Sequence, residues 1–216
     1  MGEFEILDTD EPLAKRMERH AYDRLIMLSD GVFAIAITLA ALELKIPDPF
    51  QGSVTELLAR MARPLSAYAI SFGVIGVYWI AHRRMIARMR RVDAVFTGLN
   101  LALLAVVALQ PLAVQVLMKN GPNSGAGQLY FWQVVTIGVL QSLLWGYGGF
   151  VAKLVDNSIS PAARWFVFAM SLLLPALGCG LGLYAGTQSN LSLLLVLGAV
   201  VGLVLGRRWL GKRLGV

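Results

Sequence analysis

Six times along this chain, about twenty residues pass with almost no charge. These apolar windows fall at 24–46, 64–85, 94–118, 128–152, 163–186 and 191–209. Each is long enough for a helix to cross a hydrocarbon core about 30 Å thick. A soluble fold would have to cover such runs with polar surface, and the chain lacks it: 57% of its residues are apolar, 15% are charged and the mean hydropathy is +0.66, against about 25% charged in soluble domains. In lipid every backbone polar group must be satisfied within the protein, which leaves helices as the reading for runs of this length. The expected fold is an all-α membrane protein with six transmembrane helices. Residues 1–23 and 210–216 are left as tails, and these 216 residues hold no separate soluble domain.

Lys and Arg set the orientation, because they are retained on the cytoplasmic side. The first tail with the start of helix one (Lys15, Arg16, Arg19, Arg24), the loop after helix two (Arg83, Arg84, Arg88, Arg90, Arg91), the loop after helix four (Lys153, Arg164) and the C-terminus (Arg207, Arg208, Lys212, Arg213) hold 15 of the 19 basic residues. The alternate loops hold only Lys45, Arg60, Arg63 and Lys119. Both termini are therefore expected in the cytoplasm. The net charge of +6 reads as a topology signal and not as a nucleic-acid surface. The first 23 residues alternate acids and bases without an apolar core, so no cleavable signal peptide is expected. The lone Cys179 excludes an intrachain disulfide and a cysteine-based zinc site.

Ionisable groups at membrane depth are functional hypotheses by default, and few are present: Asp30 and Glu43 on helix one and His82 on helix two. A membrane hydrolase or metalloenzyme needs several His, Asp or Glu at one depth. The sequence offers no such cluster, so no enzyme, cofactor or bound metal is expected. Gly146-Tyr147-Gly148 lacks the Thr-Val that precedes a carbonyl filter and lies inside a continuous span, so it reads as small residues beside an interfacial aromatic. Glycines four apart in helix five (Gly178, Gly182, Gly186) and helix six (Gly198, Gly202, Gly206) read as packing seams, and Pro175 as a kink. A secondary transporter would show helix breaks around a midplane polar site, and helix one has neither a Pro nor a Gly pair at mid-depth.

Helix one divides cleanly by angle. At 100° per residue, with Ile35 at zero, Leu39 falls at about +40°, Leu42 at about −20° and Ile46 at about +20°. Gly31 and Thr38 flank this aliphatic stripe. Asp30 falls at about −140°, so its carboxylate should turn toward neighbouring helices, where it needs hydrogen-bond donors.

Arg24-x-x-x-Leu28-Ser29-Asp30-Gly31-Val32-Phe33-Ala34-Ile35-Ala36-Ile37-Thr38-Leu39 closely resembles the Arg-x-x-x-Phe-Ser-Asp signature of the bacterial relatives of transmembrane protein 175, the endolysosomal-type potassium channel family. Tyr78-Trp79-Ile80-Ala81-His82-Arg83 is similar to the end of the family's helix two. Leu99-Asn100-Leu101 and Val107-Ala108-Leu109-Gln110-Pro111 are similar to its helix three. The resemblance covers roughly the first 115 residues, and Leu28 departs from the family's Phe. It implies a homotetramer in the bacterial inner membrane with a central pore lined by helix one. Ile35, Leu39 and Leu42 match its hydrophobic constriction and Thr38 a polar layer linked with potassium preference. Arg24, Ser29, Asp30, Trp79, His82 and Asn100 match a network that holds helix one in place, and Glu43 and Asp48 would lie at the outer mouth. The implied function is a potassium-preferring cation channel, with a proton-conducting channel of the same build or a secondary transporter as alternatives. Its partners would be further copies of the chain, membrane lipids and the permeant K+, Na+ or H+.

Overall fold

The structure is a computed structural model and describes residues 12–45, 52–121 and 125–187. The expected sixth span at 191–209, the glycines at 198, 202 and 206, Ile46 and Asp48 lie outside the described residues. The described residues form an all-helical bundle: α1 Leu13–Leu42, α2 Val54–Ile86, α3 Ala94–Ala108, α4 Gln110–Asn120, α5 Gly125–Gly146 running into a π-helical turn Tyr147–Val151, and α6 Pro161–Thr187. Among the described residues, four helical stretches are long and apolar enough to cross a membrane: Leu13–Leu42, Val54–Ile86, Ala94–Asn120 and Gly125–Val151.

Two helices begin earlier than hydropathy alone indicates. α1 starts at Leu13 and not at residue 24, because Leu13-Ala14-Lys15-Arg16-Met17-Glu18-Arg19 are strong helix formers although they are too polar for the bilayer. α2 starts at Val54 and not at Pro64, on a reciprocal cap in which Glu56 N–H donates to Ser53 Oγ at 3.3 Å and Ser53 N–H to the Glu56 carboxylate at 3.1 Å. The helix continues through Pro64. Arg83 and Arg84 in its last turn face the negative end of the helix dipole.

The third span is one apolar run but two helices. Pro111 has no N–H to give to the Val107 carbonyl four residues back, and its ring crowds that carbonyl. The chain therefore turns at Leu109, whose N–H bonds to Val106 O at 3.2 Å, and restarts at Gln110. Gln133 of α5 donates to the same Val106 oxygen at 2.9 Å.

α1 packs on α2, α3 and α4, while α5 packs on α3, α4 and α6. Phe33, Ile75, Phe96, Leu103, Ile137, Leu144 and Trp145 fill the space between them. Gly148 belongs to this packing: a Cβ there would lie 2.7 Å from Met89 Cε and 3.2 Å from Phe96. The carbonyls of Tyr147 and Gly148 accept from Ala152 N–H (2.9 Å) and Leu154 N–H (2.7 Å), so the Gly-Tyr-Gly string closes a helix. Gly178 likewise sits against α5, where a Cβ would meet Val135 at 2.8 Å. α6 runs on through Pro175, whose ring faces Gly138.

The start of α1, the end of α2, the start of α3, the π-turn and the start of α6 meet at one end of the bundle, here called the basic end. Tyr22 Oη donates to Ile86 O at 2.9 Å. The segments after α2 and after the π-turn join through a short antiparallel bridge between Met89 and Val155. Asp93 caps α3 by accepting from Phe96 N–H (2.7 Å) with one carboxylate oxygen and from Tyr147 Oη (2.9 Å) with the other.

Candidate pore-lining face and its anchor

α1 shows two faces of different chemistry. Leu25, Ser29, Phe33, Ala36 and Ala40 are buried against the bundle. On the other side Ile35, Leu39 and Leu42 are 57%, 43% and 73% exposed, with Gly31, Ala34 and Thr38 exposed between them. These are the stripe positions expected from the angular reading. They form one apolar surface, about three helical turns tall, that no described residue covers. The Thr38 hydroxyl donates back to the Ala34 and Ile35 carbonyls at 3.0 Å each, which leaves the oxygen lone pairs as its outward-facing chemistry.

What holds α1 in that rotation is polar and buried. Ser29 Oγ donates to Leu25 O at 2.7 Å, Asn100 Nδ2 donates to Ser29 Oγ at 3.0 Å, and His82 Nε2 lies 2.7 Å from Asn100 Oδ1. The terminal carbonyl can only accept, so the direction of the whole chain follows: Ser29 spends its one proton on Leu25, its oxygen takes the Asn100 amide, and His82 must carry its proton on Nε2. Ser29, His82 and Asn100 are each 1% exposed or less. At such burial an unmet donor is costly, so the triple contact ties α1, α2 and α3 at one relative rotation. The Phe33 ring packs on the imidazole at 5.4 Å between centroids.

A second branch lies beside the first. Trp79 Nε1 donates to Asp30 Oδ1 at 2.8 Å, and the Arg83 guanidinium sits 5.6 Å from the Trp79 ring centroid, within cation–π range. Of the six residues expected to form one network, five are joined in these two branches. Arg24 is not: it is exposed and makes no hydrogen bond or ion pair among the described residues, because its position on α1 faces away from α2 and α3. Asp30→Asn keeps an acceptor for Trp79 but exchanges a charge-assisted bond for a neutral one, a loss of about 1 kcal/mol. Thermal unfolding of the assembled protein should shift down while the ratio of potassium to sodium permeability stays unchanged; a changed ratio would move Asp30 onto the ion path.

At the opposite end, Glu43 is half-buried and accepts from Gln115 Nε2 of α4, which ties the end of α1 to the restarted helix. Sequence reasoning did not single out Gln115, Gln133 or the Asp93–Tyr147 pair. Only Asp93 carries a local signal, as an acidic residue one position before an apolar helix.

The family described as endosomal/lysosomal potassium channel TMEM175 matches residues 24–111, the stretch that holds both the stripe and its anchor. A Streptomyces collinus protein named as a potassium channel is 33% identical over 147 residues, covering 65% of this chain and 71% of its own length. The chain belongs to the TMEM175 family. A potassium channel of Chamaesiphon minutus is 29% identical over 200 residues, or 80% of this chain and 97% of the relative. The human TMEM175, named as an endosomal/lysosomal proton channel, is 34% identical over 117 residues, which is 50% of this chain and 22% of the human one. Among solved structures, the crystal structure of a lysosomal potassium-selective channel TMEM175 homolog from Chamaesiphon minutus superposes with a TM-score of 0.57 at 27% identity, covering 83% of this chain and 98% of that one. TMEM175 is a channel family and not an enzyme family, and this member has the membrane-length helices that a channel needs.

Proposed function

We propose that this TMEM175 member is a potassium-preferring cation channel: a homotetramer of six-helix subunits in the bacterial inner membrane, termini cytoplasmic, with α1 of each subunit facing a central axis. The observation that carries this reading is the exposed Ile35–Leu39–Leu42 surface on a helix whose rotation is locked from behind by buried hydrogen bonds. Symmetry brings four equivalent side chains to each level of such an axis. A narrow aliphatic ring sheds water, and an ion entering it must give up hydration worth on the order of tens of kcal/mol. Widening or rotating α1 opens the path. Potassium holds its water less tightly than sodium, so a gap that demands partial dehydration favours it. Thr38 would help, since its outward lone pairs can replace a lost water. Glu43 and Asp48 would raise the cation concentration at the outer mouth.

The deciding experiment is the purified protein in a planar bilayer under bi-ionic gradients of potassium, sodium and protons. A reversal potential that follows potassium is expected; absence of conduction rejects the channel reading. The proton-channel names of the vertebrate relatives favour a second reading in which the same apolar gap carries protons along transient water chains. The proton gradient tests it directly. Thr38→Val keeps the shape and removes the oxygen. It should lower the preference for potassium over sodium about two- to threefold, less than 1 kcal/mol, without raising the resting current.

A further inference from the structure

At the basic end a cavity of about 740 Å³ opens between the first turns of α1, the segment after α2 and the segment after the π-turn. Lys15, Arg19, Arg90, Arg91 and Lys153 line it, and among the described residues Glu18 is the one carboxylate in its lining. Asp156 stands outside it and takes Arg90 at 3.5 Å; its carboxyl is held below the ordinary range, first by the Ser158 N–H. Arg91 and Lys153 have no side-chain hydrogen bond or ion pair among the described residues. The walls are built. Arg90 N–H donates to Leu154 O and Asp156 N–H to Arg88 O, each at 2.9 Å, which holds the two loops side by side, and Tyr22 fixes α1 against α2.

The position of Lys153 adds an independent sign. Its φ is +52°, at the residue after the Ala152 cap of the π-turn, where a glycine would avoid about 1–2 kcal/mol of crowding. A lysine stands there and extends into the cavity lining. Depth adds another. α1 is about 45 Å long, so its first turns project past a core about 30 Å thick. At the same end exposed Trp165 stacks on Phe150 at 4.4 Å, as aromatics do at the headgroup boundary.

We propose that this cavity is a binding site for paired phosphate anions, presented by the headgroup of a diphosphate lipid or by a soluble pyrophosphate. Among the cations that line it, Arg91 and Lys153 make no hydrogen bond or ion pair with a described residue, the volume has room for more than one phosphate, and basic pockets at this depth between membrane helices are suited to such headgroups. The chemistry is shared by both sources, and the test separates them.

The full-length protein is placed in nanodiscs of phosphatidylcholine alone or with cardiolipin, and in phosphatidylcholine nanodiscs titrated with inorganic pyrophosphate, with thermal unfolding and native mass spectrometry as readouts. Cardiolipin should raise the unfolding temperature and remain bound. Arg91→Ala and Lys153→Gly should each weaken binding about fivefold, the value of one basic residue near an anionic surface. Lys153→Gly should do so with an unfolding temperature in phosphatidylcholine alone that is equal to or above that of the parent, since glycine suits its backbone. Pyrophosphate binding that both substitutions weaken, without cardiolipin binding, assigns the site to a soluble anion. Equal cardiolipin and pyrophosphate affinity in the parent and in the double variant, or no binding of either, overturns the proposal.

Discussion

Ile35→Ala should raise the resting current of the channel at least about tenfold, a barrier lowered by about 1.4 kcal/mol, and should reduce its preference for potassium over sodium. Ile35 contributes its branched side chain to the exposed face of α1 and is 57% exposed in the subunit, so the substitution removes little from the bundle itself. Alanine is also the better helix former. The effect should therefore appear in conduction and not in folding. In the proposed fourfold ring the same change would remove apolar volume at each subunit, widening the gap and letting water persist in it. Leu39→Ala, one turn further along, should act in the same direction and more weakly, because that side chain is more covered. Single-channel recording of both variants under bi-ionic potassium and sodium gradients is the check. Unchanged current and reversal potential in both would remove the hydrophobic-gate assignment.

The second large effect is expected at the anchor. Asn100→Ala deletes the middle link and leaves two orphans, the Ser29 oxygen without its donor and the His82 Nε2–H without its acceptor, both at 1% exposure. An unmet buried polar group costs about 1–3 kcal/mol. Interhelical hydrogen bonds within membranes average nearer 0.6 kcal/mol, because the separated helices also find partners. The lower figure applies to Ser29, which keeps its own bond to the Leu25 carbonyl, the higher to His82, whose N–H is left with no acceptor. About 2 kcal/mol in total is the expected loss. A double-mutant cycle with Ser29→Ala isolates the chain of bonds: the two substitutions should couple by about 1 kcal/mol, since Ser29→Ala already removes one of the bonds that Asn100→Ala breaks. Strict additivity in thermal or denaturant unfolding would mean that the three residues do not act as a unit. Loosened anchoring should also raise the resting current of Asn100→Ala, through freer rotation of α1.

These expectations draw on features of unequal legibility. That the chain is helical and membrane-embedded, and that Asp30 and the aliphatic stripe leave α1 in different directions, could be read from the residues. Hydropathy over twenty positions and a 3.6-residue period are local properties, and a span satisfies its own backbone without help from its neighbours. The match of Arg24 to Leu39 with the family signature could be read for the same reason, since it is one continuous segment.

Helix limits were less legible. α1 and α2 each extend about ten residues beyond the apolar window, because helix propensity and the Ser53–Glu56 cap act outside the bilayer, where hydropathy is silent. Pro111 could have flagged the division of the third span, but proline inside a membrane helix has no fixed outcome: α2 runs straight on through Pro64, and α6 through Pro175. At Leu109 the turn is secured from another helix: Gln133 donates to Val106 O, which also accepts the Leu109 N–H.

By itself the sequence determined the class of molecule, the basic and non-basic ends of its spans and the two-faced character of α1. Only the tertiary structure decided which polar groups meet: Trp79 with Asp30, His82 with Asn100 and Ser29, Gln115 with Glu43, and Arg24 with none of them. It alone drew Arg90, Arg91 and Lys153 around one cavity from two loops sixty residues apart. The reason is geometric. A side chain's partner depends on the depth and rotation of each helix relative to the others, and these are set by the packing of the whole bundle, which no single segment carries.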